Sequence, residues 1–133
     1  MAVRRMFSRN ILHSDQYMTL PPITRELYIL LCMEADDDGF VNNAQTVIRF
    51  AGSDEEDLRR LIERGLLIPF DNGVAAITHW RVHNQIRKDR YVPTRYQEQF
   101  TRLTLRPDGA YALPSDPAES PPSGPGIPNG NPV

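Results

Sequence analysis

Residues 42–80 read NNAQTVIRFAGSDEEDLRRLIERGLLIPFDNGVAAITHW, and this stretch decides the fold. Asn42 or Asn43 caps a helix in which Ala44, Val47, Ile48 and Ala51 fall at i, i+3, i+4 and i+7, one face of a helix. Gly52 closes it. Ser53 opens another helix, with Glu56 in the capping-box position, and Leu58, Leu61, Ile62 and Gly65 repeat the spacing. Gly65 suits the C-terminal end of that helix. Two apolar runs follow, Leu66–Phe70 and Val74–Trp80. Asn72-Gly73 lies between them, the strongest short hairpin signal a sequence carries.

Upstream, Ser14-Asp15 caps a short helix through Tyr17, Met18 and Leu20 that Pro21-Pro22 stops. Thr24 is a good N-cap for a helix over Arg25–Ala35, whose centre, Leu27–Met33, is apolar on every side and predicts the buried helix of the fold. Asp36-Asp37-Asp38-Gly39 ends it in a tight turn with Gly39 at positive φ, and Phe40-Val41 reads as a very short strand. The order helix, short strand, helix, helix, hairpin predicts an α+β fold, a winged helix-turn-helix. A basic stretch runs Arg81–Tyr91, then a helix begins at Thr94 or Arg95 and ends near Phe100. Leu103–Leu105 and Ala110–Leu113 form a second small hairpin around Pro107-Asp108-Gly109. The expected organisation is a winged-helix domain with a basic C-terminal helix and hairpin extension over residues 1–113. A disordered tail rich in proline, glycine and serine is expected over 114–133, too poor in apolar residues to offset the entropy of ordering.

The 133 residues are 40% apolar and carry a net charge of −2, but the charge is unevenly spread. From Glu34 to Glu63 nine acids face three arginines. From His79 to Arg106 seven bases face two acids. Such asymmetry fits a face built for an acidic partner such as nucleic acid, or two surfaces that meet in a homo-oligomer. No apolar run approaches the roughly 18 residues of a membrane span, no secretory signal follows the basic start, and the single Cys32 fits a reducing compartment. A cytoplasmic protein without membrane contact is expected.

The motifs of catalysis are missing. There is no phosphate loop with its lysine, no GxGxxG, GxSxG or HExxH. Counting twelve residues from Asp36 or Asp38 reaches Val47 or Arg49, so the triple aspartate does not make an EF-hand loop. His79 and His83 have no nearby acid or cysteine to complete a zinc site. We expect no enzyme, no cofactor, no metal and no catalytic residue.

In the usual docking of a winged helix, the helix after Ser53 would enter the major groove and present Arg59, Arg60 and Arg64. Its first turn, Asp54-Glu55-Glu56-Asp57, would repel phosphates there. The better phosphate binder is the basic stretch, with Arg81, Arg87, Lys88, Arg90 and Arg95, and with Arg4 and Arg5 from the N-terminus. Asn84 and Gln85 are candidate hydrogen-bonding groups, and Tyr91 and Tyr96 candidate stacking groups for exposed bases. On the bland alternative this strip packs back on the domain, with Trp80, Ile86 and Tyr91 in the core.

Several strings together resemble the N-terminal domain of phage replisome organisers, replication-initiation proteins related in architecture to the DnaD-like primosomal proteins. They are Arg4-Arg5-Met6-Phe7-Ser8, Ser14-Asp15, Leu27-Tyr28, Ala35–Asn43, His79-Trp80-Arg81, Asn84, Ile86–Tyr91, Thr94 and Tyr96. The resemblance covers about residues 1–111. It implies a winged helix and a role in phage or prophage DNA replication. The implied partners are origin DNA, duplex or single-stranded, and replisome proteins such as a helicase or helicase loader. It also implies the alternative of a self-association or protein-docking module that binds no DNA. The chain departs from the family at Pro21-Pro22, where a second proline stands at the start of the helix. Longer members carry a second domain where this chain has its Pro/Gly/Ser-rich tail.

Overall fold

The computed structural model describes residues 4–114. Within them the chain is a mixed α+β structure with two small antiparallel sheets. The expected tail falls almost wholly outside the described residues. Two short helices, α1 (Arg9–Leu12) and α2 (Asp15–Met18), lead into the long α3 (Pro22–Glu34). After β1 (Phe40–Val41) come α4 (Ala44–Ala51) and α5 (Glu55–Glu63). Then follow β2 (Leu67–Pro69), β3 (Ala75–Ile77), α6 (Trp80–His83), α7 (Gln97–Thr101), β4 (Thr104–Leu105) and β5 (Tyr111–Ala112). The first sheet has the order β1-β3-β2, with Phe40 opposite Ala76 and Leu67 opposite Ile77. The second pairs β4 with β5, where the second hairpin is expected.

Helix α3 supplies the centre of the core. Leu27, Tyr28, Leu31 and Cys32 are buried, α4 and α5 pack on this helix, and their Val47, Ile48 and Leu61 are buried in the same core. Burial pushes the Cys32 thiol up to about 12, so it sits in the core as an apolar group.

The structure departs from the sequence reading at five places. Helix α7 begins at Gln97, not at Thr94 or Arg95, because the N–H and hydroxyl of Thr94 are held by Asp38 and Asp36. Helix α3 begins at Pro22, where a proline costs nothing because its missing N–H would be unpaired anyway. Thr24 is therefore not a cap. It is buried inside the helix and donates to Asp57 Oδ1 at 2.5 Å. The cap of α5 shifts by one residue: the capping box joins Asp54 and Asp57, not Ser53 and Glu56. The β2–β3 turn is wider than an Asn-Gly two-residue turn. Pro69 pairs with Ala75, and a 3-10 turn over Asp71–Gly73 fills the loop. Finally, the strand expected to run to Trp80 ends at Ile77, and Trp80–His83 is one helical turn.

Candidate nucleic-acid interface

The acidic turn after α3 organises the basic stretch. Asp36 Oδ1 accepts from the N–H groups of Asp38 and Phe40, and its Oδ2 accepts from the Thr94 hydroxyl at 2.5 Å. Asp37 Oδ2 accepts from Val92 N–H at 3.0 Å. Asp38 Oδ2 accepts from Thr94 N–H at 2.8 Å and from the Tyr91 hydroxyl at 2.6 Å. The carboxylates reach across more than fifty residues of sequence and hold the far end of the strip at Tyr91–Thr94. Hydrogen bonds to an ionised acceptor are the strong ones, about 1.5–3 kcal/mol each. Among the described residues, no group of three or more acids, histidines or cysteines is arranged to hold a metal ion.

The near end of the strip is anchored by α6. Trp80 is buried, its Nε1–H donates to Asp37 O at 2.9 Å, and its ring faces Gly39. Gly39 has φ +89°, and a Cβ there would lie 2.5 Å from Trp80 Cγ. The turn therefore needs a glycine twice over, for conformation and for space. His83 Nδ1 accepts from Ser8 N–H at 2.9 Å. The neutral ring then carries its proton on Nε2, which donates to the Tyr28 hydroxyl at 2.7 Å. Burial, with His79 nearby, lowers the His83 pKa to about 4.

These anchors correct three candidate residues. Asn84 is 7% exposed, and its Oδ1 accepts from Met6 N–H, so it ties the N-terminal segment to the domain. It is not a surface reader. Arg5 reaches inward, donating to Ala35 O at 2.6 Å and lying 5.2 Å above the Trp80 ring. Tyr96 is half-buried and packs on Phe40, centroids 6.1 Å apart, so it is held in the domain and is not a free surface aromatic. Tyr91 does reach the surface at 38% exposure, with its hydroxyl spent on Asp38. Burial and that bond push its pKa up to about 12. The bland alternative thus holds for Trp80, and in part for Ile86 and Tyr91.

The three arginines of α5 are also engaged within the molecule. Arg59 pairs with Glu56 and Glu63, and Arg60 pairs with Asp57 at 2.9 Å. Arg64 donates to Gln16 O at 2.9 Å and to the Thr19 hydroxyl at 2.7 Å, fastening α5 to α2. Burial would raise the Asp57 carboxyl, but Thr24, the Asp54 N–H and Arg60 together hold it below its ordinary value. With four acids at its start and its cations spent, α5 offers little to a phosphate.

Six of the candidate cations remain at the surface. Arg4, Arg81, Lys88, Arg90 and Arg95 are exposed and make no side-chain ion pair or hydrogen bond among the described residues. Arg87 is exposed too and pairs loosely with Asp89 at 3.2 Å, worth little in water. Four of the six lie on Arg81–Arg90, the segment held between α6 and the acidic turn. Trp80, His83 and Asn84 fall at i, i+3 and i+4, a helical spacing that marks them as one inward face. That signal was present in the sequence, hidden by the polar character of two of the three residues.

Among the described residues, no helix is long and apolar enough to cross a membrane. A scan of family models, a search of curated proteins and a search of solved structures each give no match to the chain.

Proposed function

We propose that this chain is a nucleic-acid-binding module of winged-helix type, working in DNA replication in the manner of a phage replisome organiser, and that it grips phosphates with the strip Arg81–Arg95 and not with α5. One observation carries the reading. The strip's backbone is pinned by Asp37 and Asp38 while Arg81, Lys88, Arg90 and Arg95 stay exposed and unpaired. A backbone already held at Val92 and Thr94 spares part of the ordering cost of binding a polyanion, and each neutralised phosphate releases counterions. The winged-helix reading is supported by three helices followed by a hairpin whose inner strand β3 pairs with β1. The replication role rests on the resemblance of the sequence strings.

The test is fluorescence anisotropy with labelled single-stranded and duplex DNA, on the full chain and on the triple variant Lys88→Gln, Arg90→Gln, Arg95→Gln. The variant is expected to bind at least tenfold more weakly at low salt. Equal affinity would remove the strip from the interface.

Phe50 supports a second reading. It stands at the end of α4 with 76% of its surface exposed, the most exposed large apolar side chain among the described residues. On this reading the module self-associates or docks on a helicase or helicase loader. Light scattering over a tenfold concentration range decides it: a constant monomer mass that Phe50→Ser does not change counts against self-association.

A further inference from the structure

The exposed large apolar side chains among the described residues are scattered along the chain, with one exception. Tyr91 and Val92, 38% and 54% exposed, are neighbours, and the exposed Pro93 follows them. Single apolar residues at a surface need no explanation. These three are different, because the fold holds them there. Asp37 Oδ2 takes the Val92 N–H, and Asp38 Oδ2 takes the Thr94 N–H and the Tyr91 hydroxyl, both aspartates being buried. The segment cannot turn inward without breaking these bonds. With its hydroxyl engaged, Tyr91 offers a partner its ring. Cations rim the apolar run on both sides: Lys88 and Arg90 precede it and Arg95 follows, all exposed. In space, Tyr91 also lines a cleft of about 680 Å³ together with Arg81 and Lys88.

That layout narrows the partner. A simple anion would use the cations and leave Tyr91–Pro93 in water. An apolar surface would cover Tyr91–Pro93 and strand the cations. A partner that suits both carries negative charges at intervals with flat apolar faces between them, which is a nucleic-acid strand. Within a duplex each base face is covered by the next base pair, so a face reaches Tyr91 only from an unpaired strand.

We infer that Tyr91, Val92 and Pro93 form an exposed platform on which a base of a single strand stacks, while the neighbouring phosphates lie on Lys88, Arg90 and Arg95. This rests on the phosphate-binding reading of the strip and adds to it a preference for unpaired strands. Every base has a flat face, so the platform selects the state of the strand and not its sequence.

The test uses the full chain and three labelled probes: a 12-mer of thymidine, a wholly abasic 12-mer of the same charge, and a duplex of 12 base pairs. The thymidine strand is expected to bind about tenfold tighter than the abasic strand, the size of one stacking contact. The double variant Tyr91→Ser, Val92→Ser should bring that ratio close to one. It should leave affinity for the abasic strand and for the duplex within about twofold, because the cations stay. Tyr91→Phe loses the same hydroxyl bond but keeps the ring, and should hold the ratio above about fivefold. Thermal melting verifies that each variant is folded. Equal binding of the two strands by the natural chain overturns the inference and leaves the phosphate strip standing. Binding of neither at low salt overturns both. A ratio that survives in the folded double variant, or a duplex affinity that falls as far as the single-strand affinity, overturns the platform. A ratio lost in Tyr91→Phe would assign the effect to the hydroxyl bond and overturn stacking. An acidic pentapeptide with a central tryptophan that displaces the thymidine strand at equal concentration would make a protein segment, and not a strand, the occupant.

Discussion

Gly39 shows how much one residue carries. Its φ of +89° disfavours any L side chain, and Trp80 occupies the space a methyl group would need. Gly39→Ala is expected to cost about 2–4 kcal/mol, the sum of a left-handed backbone penalty and an overpacked core. Urea denaturation would measure it, and a loss below about 0.5 kcal/mol would mean the turn and Trp80 separate readily. His83 sets a pH dependence. Its folded pKa of about 4 lies below the ordinary histidine value of about 6.5. The unfolded chain therefore binds the proton first, and stability is full above about pH 6.5 and declines toward pH 4. NMR titration should find the His83 ring still neutral at pH 5.5; a midpoint near 6.5 would contradict its burial against Ser8 and Tyr28.

At the scale of elements, the acidic turn is a clamp. Asp38→Ala removes the acceptor of both Thr94 N–H and the Tyr91 hydroxyl. Hydrogen exchange over residues 88–95 should speed up at least tenfold, while α3 and α4 keep their protection. Uniform exchange across the molecule would mean the clamp is part of the global core. Local patterns were easy to read from sequence: β1, α4, the β2–β3 and β4–β5 pairings and the stop after α3 all follow from periodicity, glycine placement and turn residues. Long-range polar contacts were not. The aspartates Asp36–Asp38 read as a helix stop because that is their local role. Their partners at 91–94 are more than fifty residues away, and no spacing rule connects the two. Arg5 and Asn84 read as surface residues for the same reason, since charge and polarity say nothing about a buried carbonyl or amide waiting across the fold. Arg59, Arg60 and Arg64 were countable as cations, but only the geometry reveals that acids and carbonyls already hold them.

The whole molecule has two unlike regions. The start of α5 is acidic and self-satisfied, whereas the strip from Arg81 to Arg95 is basic and keeps Arg81, Lys88, Arg90 and Arg95 exposed, with only Arg87 paired to an acid. A net charge of −2 hides this division. An acidic surface elsewhere on the chain would discourage unspecific wrapping by a polyanion and leave the strip as the point of contact. The most direct measurement is the salt dependence of affinity for a single-stranded oligonucleotide, from about 50 to 200 mM monovalent salt. Four phosphate contacts, one each for Arg81, Lys88, Arg90 and Arg95, predict a slope of log affinity against log salt near −3, at about −0.7 per contact. A slope near zero, or no binding at the lowest salt, would contradict the account.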